Sequence, residues 1–111
     1  VIHDAVKPWQ VWLVRLDPQV GSEQAGTRPA IVVGSRAMCD MAGRRLALVV
    51  PCTGTDRGLS WQPKIILDKP SVVMCEQVKS VSRHRLVRML PHEVPVGVRE
   101  EIRWNLVNLF D

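Results

Sequence analysis

The sequence is poor in cysteine, with three in 111 residues: Cys39, Cys52 and Cys75. They are widely separated and odd in number, without a CxxC pair, which argues against a disulfide scaffold and for a reducing compartment. His3, His84 and His92 fall at no metal-ligand spacing with them. The thiols therefore read as small apolar core residues, and neither a metal nor another cofactor is expected. Long apolar runs are also missing. The longest, Leu46-Ala47-Leu48-Val49-Val50, is far too short to span a bilayer. The first residues carry Asp4 and Lys7 and lack the apolar segment of a signal peptide, so a cytoplasmic protein with no membrane attachment is expected. No block of like charge, repeat or low-complexity tract is visible.

What is present fits one folded domain spanning residues 1–111, with 1–8 as a loose lead-in. Hydrophobic residues make up 46% and charged residues 23%, an ordinary balance for a chain that buries one modest core. Fifteen Lys and Arg against eleven Asp and Glu leave a net charge of +4. That excess permits a polyanion such as RNA, and equally an acidic protein partner. With no basic block, any anion site has to be assembled by folding.

The periodicity is mostly that of strands. Trp9–Leu16 alternates Trp9, Val11, Leu13 and Arg15 against Gln10, Trp12, Val14 and Leu16; both faces are largely apolar, which predicts a central strand. Asp17-Pro18 opens a long polar loop reaching Arg28. Further strands are predicted at Pro29–Gly34, Arg45–Cys52, Lys64–Leu67, Ser71–Gln77 continuing through Val78–Ser82, and Leu86–Leu90. Pro51 marks a place where pairing should stop. The segment Ser35–Arg44 is ambiguous, with a short helical turn ended by Gly43 as one reading. The C-terminus changes period: Val98, Ile102, Leu106 and Leu109, with Val94 one turn earlier, predict a helix over 96–109. Short strands followed by one helix imply a small, strongly bent β-barrel closed or backed by that helix.

Two segments carry candidate chemistry. Asp17–Pro29 is a glycine-bearing loop that delivers Glu23, Gln24 and Arg28 to one neighbourhood. Arg28 sits where the loop re-enters a strand, so the sheet holds it, and its guanidinium offers a fixed fork of donors for a phosphate. Glu23 can accept a proton. On residue types alone, a hairpin loop with solvated charges is the commoner explanation. Val49–Gly54 ends a strand and presents the Thr53 hydroxyl; a turn-forming Thr bonded to its own backbone reads equally well.

These segments resemble the MazF/PemK toxins. The opening W-L-V-x-L-D-P followed by GSEQAGxRPA, then VVPCT, then VMCEQVKS over Val73–Ser80 match the three motif regions of that family. The similarity runs from about Val11 to Leu109. It implies an SH3-like, CcdB-like fold and a dimeric toxin endoribonuclease held in check by an acidic, largely disordered antitoxin tail. It implies Arg28 and Thr53 as the catalytic pair, with Glu23 involved in activity or substrate binding. The implied reaction is metal-free attack of a ribose 2′-hydroxyl on the adjacent phosphate of single-stranded RNA, leaving a 2′,3′-cyclic phosphate and a 5′-hydroxyl. Under that reading Gln19, Ser22 and Gln24 can read base edges, and Thr55 and Arg57 lie on the second loop. Trp61 either stacks on a base or packs locally. Lys64 and Lys79 are phosphate contacts or solvated charges, and Gln77 contacts RNA or makes a structural hydrogen bond. Trp104, off the helix stripe, is a candidate anchor between subunits. A gyrase-poisoning toxin of the same fold is the alternative; it does not require Glu23, Arg28 and Thr53. One departure stands out: many relatives have a polar, glycine-containing run such as Arg-Gly-Glu before the first strand, and this chain has Lys7-Pro8-Trp9-Gln10.

Overall fold

The computed structural model describes residues 6–16, 26–41 and 45–110. The chain runs β1 (Val11–Leu16), β2 (Gly26–Val32), α1 (Arg36–Cys39), β3 (Leu46–Thr53), β4 (Lys64–Ile66), β5 (Pro70–Val73), β6 (Lys79–Ser82), β7 (Leu86–Leu90) and α2 (Val96–Val107). Short 3₁₀ turns at Cys75–Gln77 and Arg83–Arg85 flank β6. All ladders are antiparallel. The order is β4-β5-β3-β2-β1-β7, with β6 also on β3. The mainly β architecture with a terminal helix is as expected. The sheet is folded over rather than closed: no ladder among the described residues joins β4 to β7.

β3 is the hub. One edge pairs with β2 over Val49–Pro51; the other pairs with β6 over Leu46–Val49 and then with β5 at Cys52 and Thr53. In a folded-over sheet a central strand is covered on both faces and needs apolar residues on each, and LALVVPCT supplies them. The two faces feed two clusters. Trp12, Val14, Leu16, Ala30, Val32, Ala47, Val49 and Val81 form part of one. Val11, Ile31, Val50, Cys52, Val73 and Cys75 belong to the other, against which α2 packs through Ile102, Val98 and Leu106. The alternation predicted for β1 therefore holds, and β1 is central, lying between β2 and β7.

Several boundaries move for physical reasons. β1 begins at Val11, because Trp9 turns with φ +70°. β2 starts at Gly26, carried back by its pairing with β1 as far as Leu16. Predicted strand Ser71–Gln77 stops at Val73, where the 3₁₀ turn intervenes. The C-terminal stripe ends at Leu106; Leu109, beyond the helix, is 42% exposed. Predicted stop Gly43 lies outside the described residues.

Cys39, Cys52 and Cys75 are buried free thiols, as their isolation in the sequence implied. Burial pushes the pKa of Cys52 and of Cys75 up to about 12 and raises that of Cys39. A thiolate-selective reagent at pH 8 should therefore leave Cys52 and Cys75 unmodified in the native protein, and modify both once it is denatured. Fast native labelling of either would show that these side chains are not packed as described. The same shifts favour the fold below pH ~9 and lose that contribution as pH rises towards 12, because the unfolded chain releases these protons first.

Candidate active site

Where β2 and β3 part, the chain sets up the site. Their ladder ends at Ala30–Pro51. The backbone of Val32 faces the β1 side, donating its N–H to Gln10 and accepting from Trp9 N. By strand alternation Ala30 and Arg28 face the same way, and Pro29 faces β3. Leu48 O, and by alternation Cys52, faces β2. Pro29 and Cys52 would thus make the next hydrogen-bonded pair, and Pro29 has no N–H to give. The pairing stop expected at Pro51 has its cause in Pro29. Pro51 itself points to the other edge, where its carbonyl accepts from Met74 N, and β3 continues past it on β5.

Arg28 and Thr53 each lie two residues beyond the last β2–β3 pair, Ala30–Pro51. Both share the face of Ala30 and Val49 by the two-residue alternation. Both are half-buried, and β1 supports Arg28 from behind through the Val14 pairing. The Thr53 hydroxyl oxygen accepts from Thr55 N at 3.3 Å. The turn-forming role foreseen for Thr53 is therefore real, and its effect is to orient the hydroxyl. The O–H proton remains available as a donor, because a hydroxyl carries one donor and two acceptor positions.

Lys79 departs from the solvated reading. It pairs with Val49, so it projects on the Arg28 and Thr53 face. Its Nζ is buried and has no hydrogen-bond partner among the described residues. A buried cation without a partner is costly, and to meet an anion arriving from solvent this Nζ has to swing outward. It lies roughly 13 Å along β3 from Thr53, four residues at ~3.3 Å each.

Lys69 was missed by the sequence reading. A Cβ on Gly54 would meet Lys69 Cε at 2.7 Å and Nζ at 3.0 Å. The glycine beside Thr53 thus lets an ammonium lie over the strand end. Nothing in the sequence linked two residues 15 apart; only the β4–β5 hairpin brings them together.

The other candidates separate. Thr55 and Arg57 are exposed on the β3–β4 loop, which is folded on itself through Gly58 N donating to Asp56 Oδ1 at 2.8 Å. Trp61 is 41% exposed. Lys64 is exposed and sits 4.0 Å from Asp56. With Asp56 and Glu101 it lines a cleft of about 400 Å³, where carboxylates oppose a phosphate. Gln77 is half-buried in the 3₁₀ turn before β6. Gln19, Ser22, Glu23 and Gln24 lie outside the described residues. No described helix is long and apolar enough to cross a membrane.

Comparison with known proteins gives a consistent result. The profile of the family described as PemK-like, MazF-like toxin of type II toxin–antitoxin system matches residues 7–110. Endoribonuclease PemK of Escherichia coli is 48% identical over 99 residues, covering 84% of this chain and 73% of that one. The endoribonuclease toxin MazF of Escherichia coli K12 is 36% identical over 75 residues, 65% of this chain. That match spans 63% of MazF, under two thirds of its length. The crystal structure of MazF from Deinococcus radiodurans superposes with a TM-score of 0.77 at 27% identity, covering 98% of this chain and 96% of that one.

Proposed function

Since the chain belongs to the PemK-like, MazF-like toxin family, we propose that it is a metal-independent endoribonuclease that cuts single-stranded RNA as the toxin of a type II toxin–antitoxin module. The observation that carries this reading is the parting of β2 and β3 at Pro29, just beyond which the two strands carry Arg28 and Thr53 on one side of the sheet. The relatives named endoribonucleases support the same activity.

The chemistry follows from the side chains. The ribose 2′-oxygen attacks the adjacent phosphorus, the new P–O bond closes a 2′,3′-cyclic phosphate, and the bond to the 5′-oxygen breaks. Negative charge grows on the phosphoryl oxygens in the transition state. Arg28 pairs with that charge, where a positioned donor is most effective. Its guanidinium stabilises charge through its planar fork of donors rather than giving up a proton. Thr53 O–H donates to a nonbridging oxygen. Glu23 takes the 2′-hydroxyl proton, and the departing 5′-oxygen gains one from solvent. The nucleophile belongs to the substrate, so no metal has to generate it, and DNA lacks the group that attacks.

Lys79 and Lys69 hold flanking phosphates. Arg57 and Thr55 contact RNA from the second loop together with Trp61 stacking, and Gln77 supports the strand end. Gln19, Ser22 and Gln24 read bases, and Lys64 is a peripheral contact. The protein works in the cytoplasm as a homodimer. The outer side of α2 supports a second copy: Val96, Trp104, Val107 and Phe110 are each at least 67% exposed, a concentration of apolar surface that marks interfaces. An acidic antitoxin suits the net charge of +4.

The test is incubation of the purified protein with a long mixed-sequence RNA in excess EDTA, followed by mapping of fragment ends. Discrete cuts with 5′-hydroxyl ends are expected. Cleavage that stops in EDTA and returns with a divalent ion would overturn the metal-free chemistry. No cleavage by a folded protein would overturn the enzyme reading.

A further inference from the structure

Beside the cluster that contains Val11 and Ile31, the residues before β1 build a second concave site. Trp9 has φ +70°, a conformation that is uncommon for a bulky residue and one that glycine takes without strain. The Trp9 backbone N–H donates to Val32 O at 2.7 Å. Its ring is faced by the guanidinium groups of Arg99 and Arg103, 5.6 and 5.3 Å from the ring centroid. Beside it opens a cleft of about 370 Å³ whose walls include Trp9, Val33, Arg36, Arg103 and Leu106.

We infer that this cleft is a docking site for a carboxylate-bearing segment of an acidic partner polypeptide. Three features select that occupant. Among the described residues the lining contains two guanidinium groups and no carboxylate, so it attracts anions, and planar bidentate pairing suits carboxylates. The remaining wall is apolar, from Val33 and Leu106, which fits the aliphatic stems and neighbours of acidic side chains. The indole already has the guanidinium groups of Arg99 and Arg103 packed against it, which compete with a nucleobase for the ring, the main device by which unpaired RNA is held. Val33 lies five residues beyond Arg28, about 17 Å along the strand, which separates the cleft from the proposed cleavage site. The inference rests on the reading that this toxin has an acidic protein partner, and it names where on the chain that partner engages.

The probe is a fluorescein-labelled synthetic peptide alternating Glu and Asp with Leu and Ile, followed by anisotropy, with a Gln/Asn version as the neutral control. The wild-type protein should bind the acidic peptide. Affinity should fall at least tenfold for the neutral peptide and for the Arg36→Gln/Arg103→Gln double variant; both residues are exposed, and circular dichroism checks the fold. Arg28→Ala should bind the peptide as the wild type does. Equal binding by the double variant, no binding by the wild type, or displacement of the peptide by a short pyrimidine oligoribonucleotide would each overturn the assignment. RNA cleavage by the double variant should stay at the wild-type level. Loss of cleavage with peptide binding intact would place these arginines in the RNA path instead. Failure of the wild type to cut RNA tests the enzyme reading separately from the peptide result.

Discussion

Arg28→Ala should lower RNA cleavage about a thousandfold while leaving the fold in place. The magnitude is that of removing one preorganised donor from a transition state whose charge it meets, ~10²–10³ in kcat. The effect should appear in kcat more than in KM, because the charge that Arg28 meets is largest when phosphorus is five-coordinate. Arg28→Lys should recover only part of the loss: it restores the charge but not the planar fork. Stability should hardly change, since Arg28 is half-buried and the β2–β3 ladder is made by Ala30, Ile31 and Val32. Thermal melting alongside single-turnover cleavage checks both halves. A variant that cuts at the wild-type rate would sink the catalytic assignment. One that loses activity only because it melts would show that Arg28 is part of the scaffold.

How far the sequence reached can be seen in individual residues. Trp12 and Val14 could be placed on one face and Val11 on the other from alternation alone, because a strand's period is fixed by covalent geometry. The terminal helix was legible for the same reason, and Ile102, the centre of its stripe, is fully buried. Arg28 and Thr53 stand in the motifs, but their sharing one face just past the last β2–β3 pair depends on the register of those strands, a long-range fact that no local pattern encodes. Pro29 shows the limit well. It was read as the start of a strand, and its missing N–H decides where that strand lets go of its neighbour. Lys79 looked like any surface lysine until the Val49 pairing turned it inwards. Lys69 had no signal at all, because its value comes from lying over Gly54. Trp9 was taken as a strand residue from its hydrophobicity, whereas its backbone bends away from the sheet.

Arg83→Met should be among the most destabilising single changes outside the apolar clusters, by about 1–3 kcal/mol for each of the two carbonyls that lose its donors. Arg83 is 1% exposed. Its Nε donates to Leu46 O at 2.9 Å and its Nη2 to Cys39 O at 2.6 Å, while its own N–H donates to Arg45 O at 2.8 Å. One side chain thus ties the end of α1 to the start of β3 from the turn that follows β6. Nothing in Ser82-Arg83-His84-Arg85 announces this, since arginine is rarely fully buried. Methionine fills much of the same space but leaves the buried Cys39 carbonyl and the partly buried Leu46 carbonyl without these donors. Because total stability is ~5–15 kcal/mol for a domain of this kind, the melting temperature should drop by roughly 15 °C. The exposed Arg88→Met serves as the control and should move it by no more than ~2 °C. If the two variants melt together, the guanidinium is dispensable and the α1–β3 connection is held by packing of Cys39 and Ala47 alone. If Arg83→Met melts far lower yet still cleaves RNA when folded at low temperature, Arg83 is a scaffold residue whose effect on activity runs only through the population of folded protein.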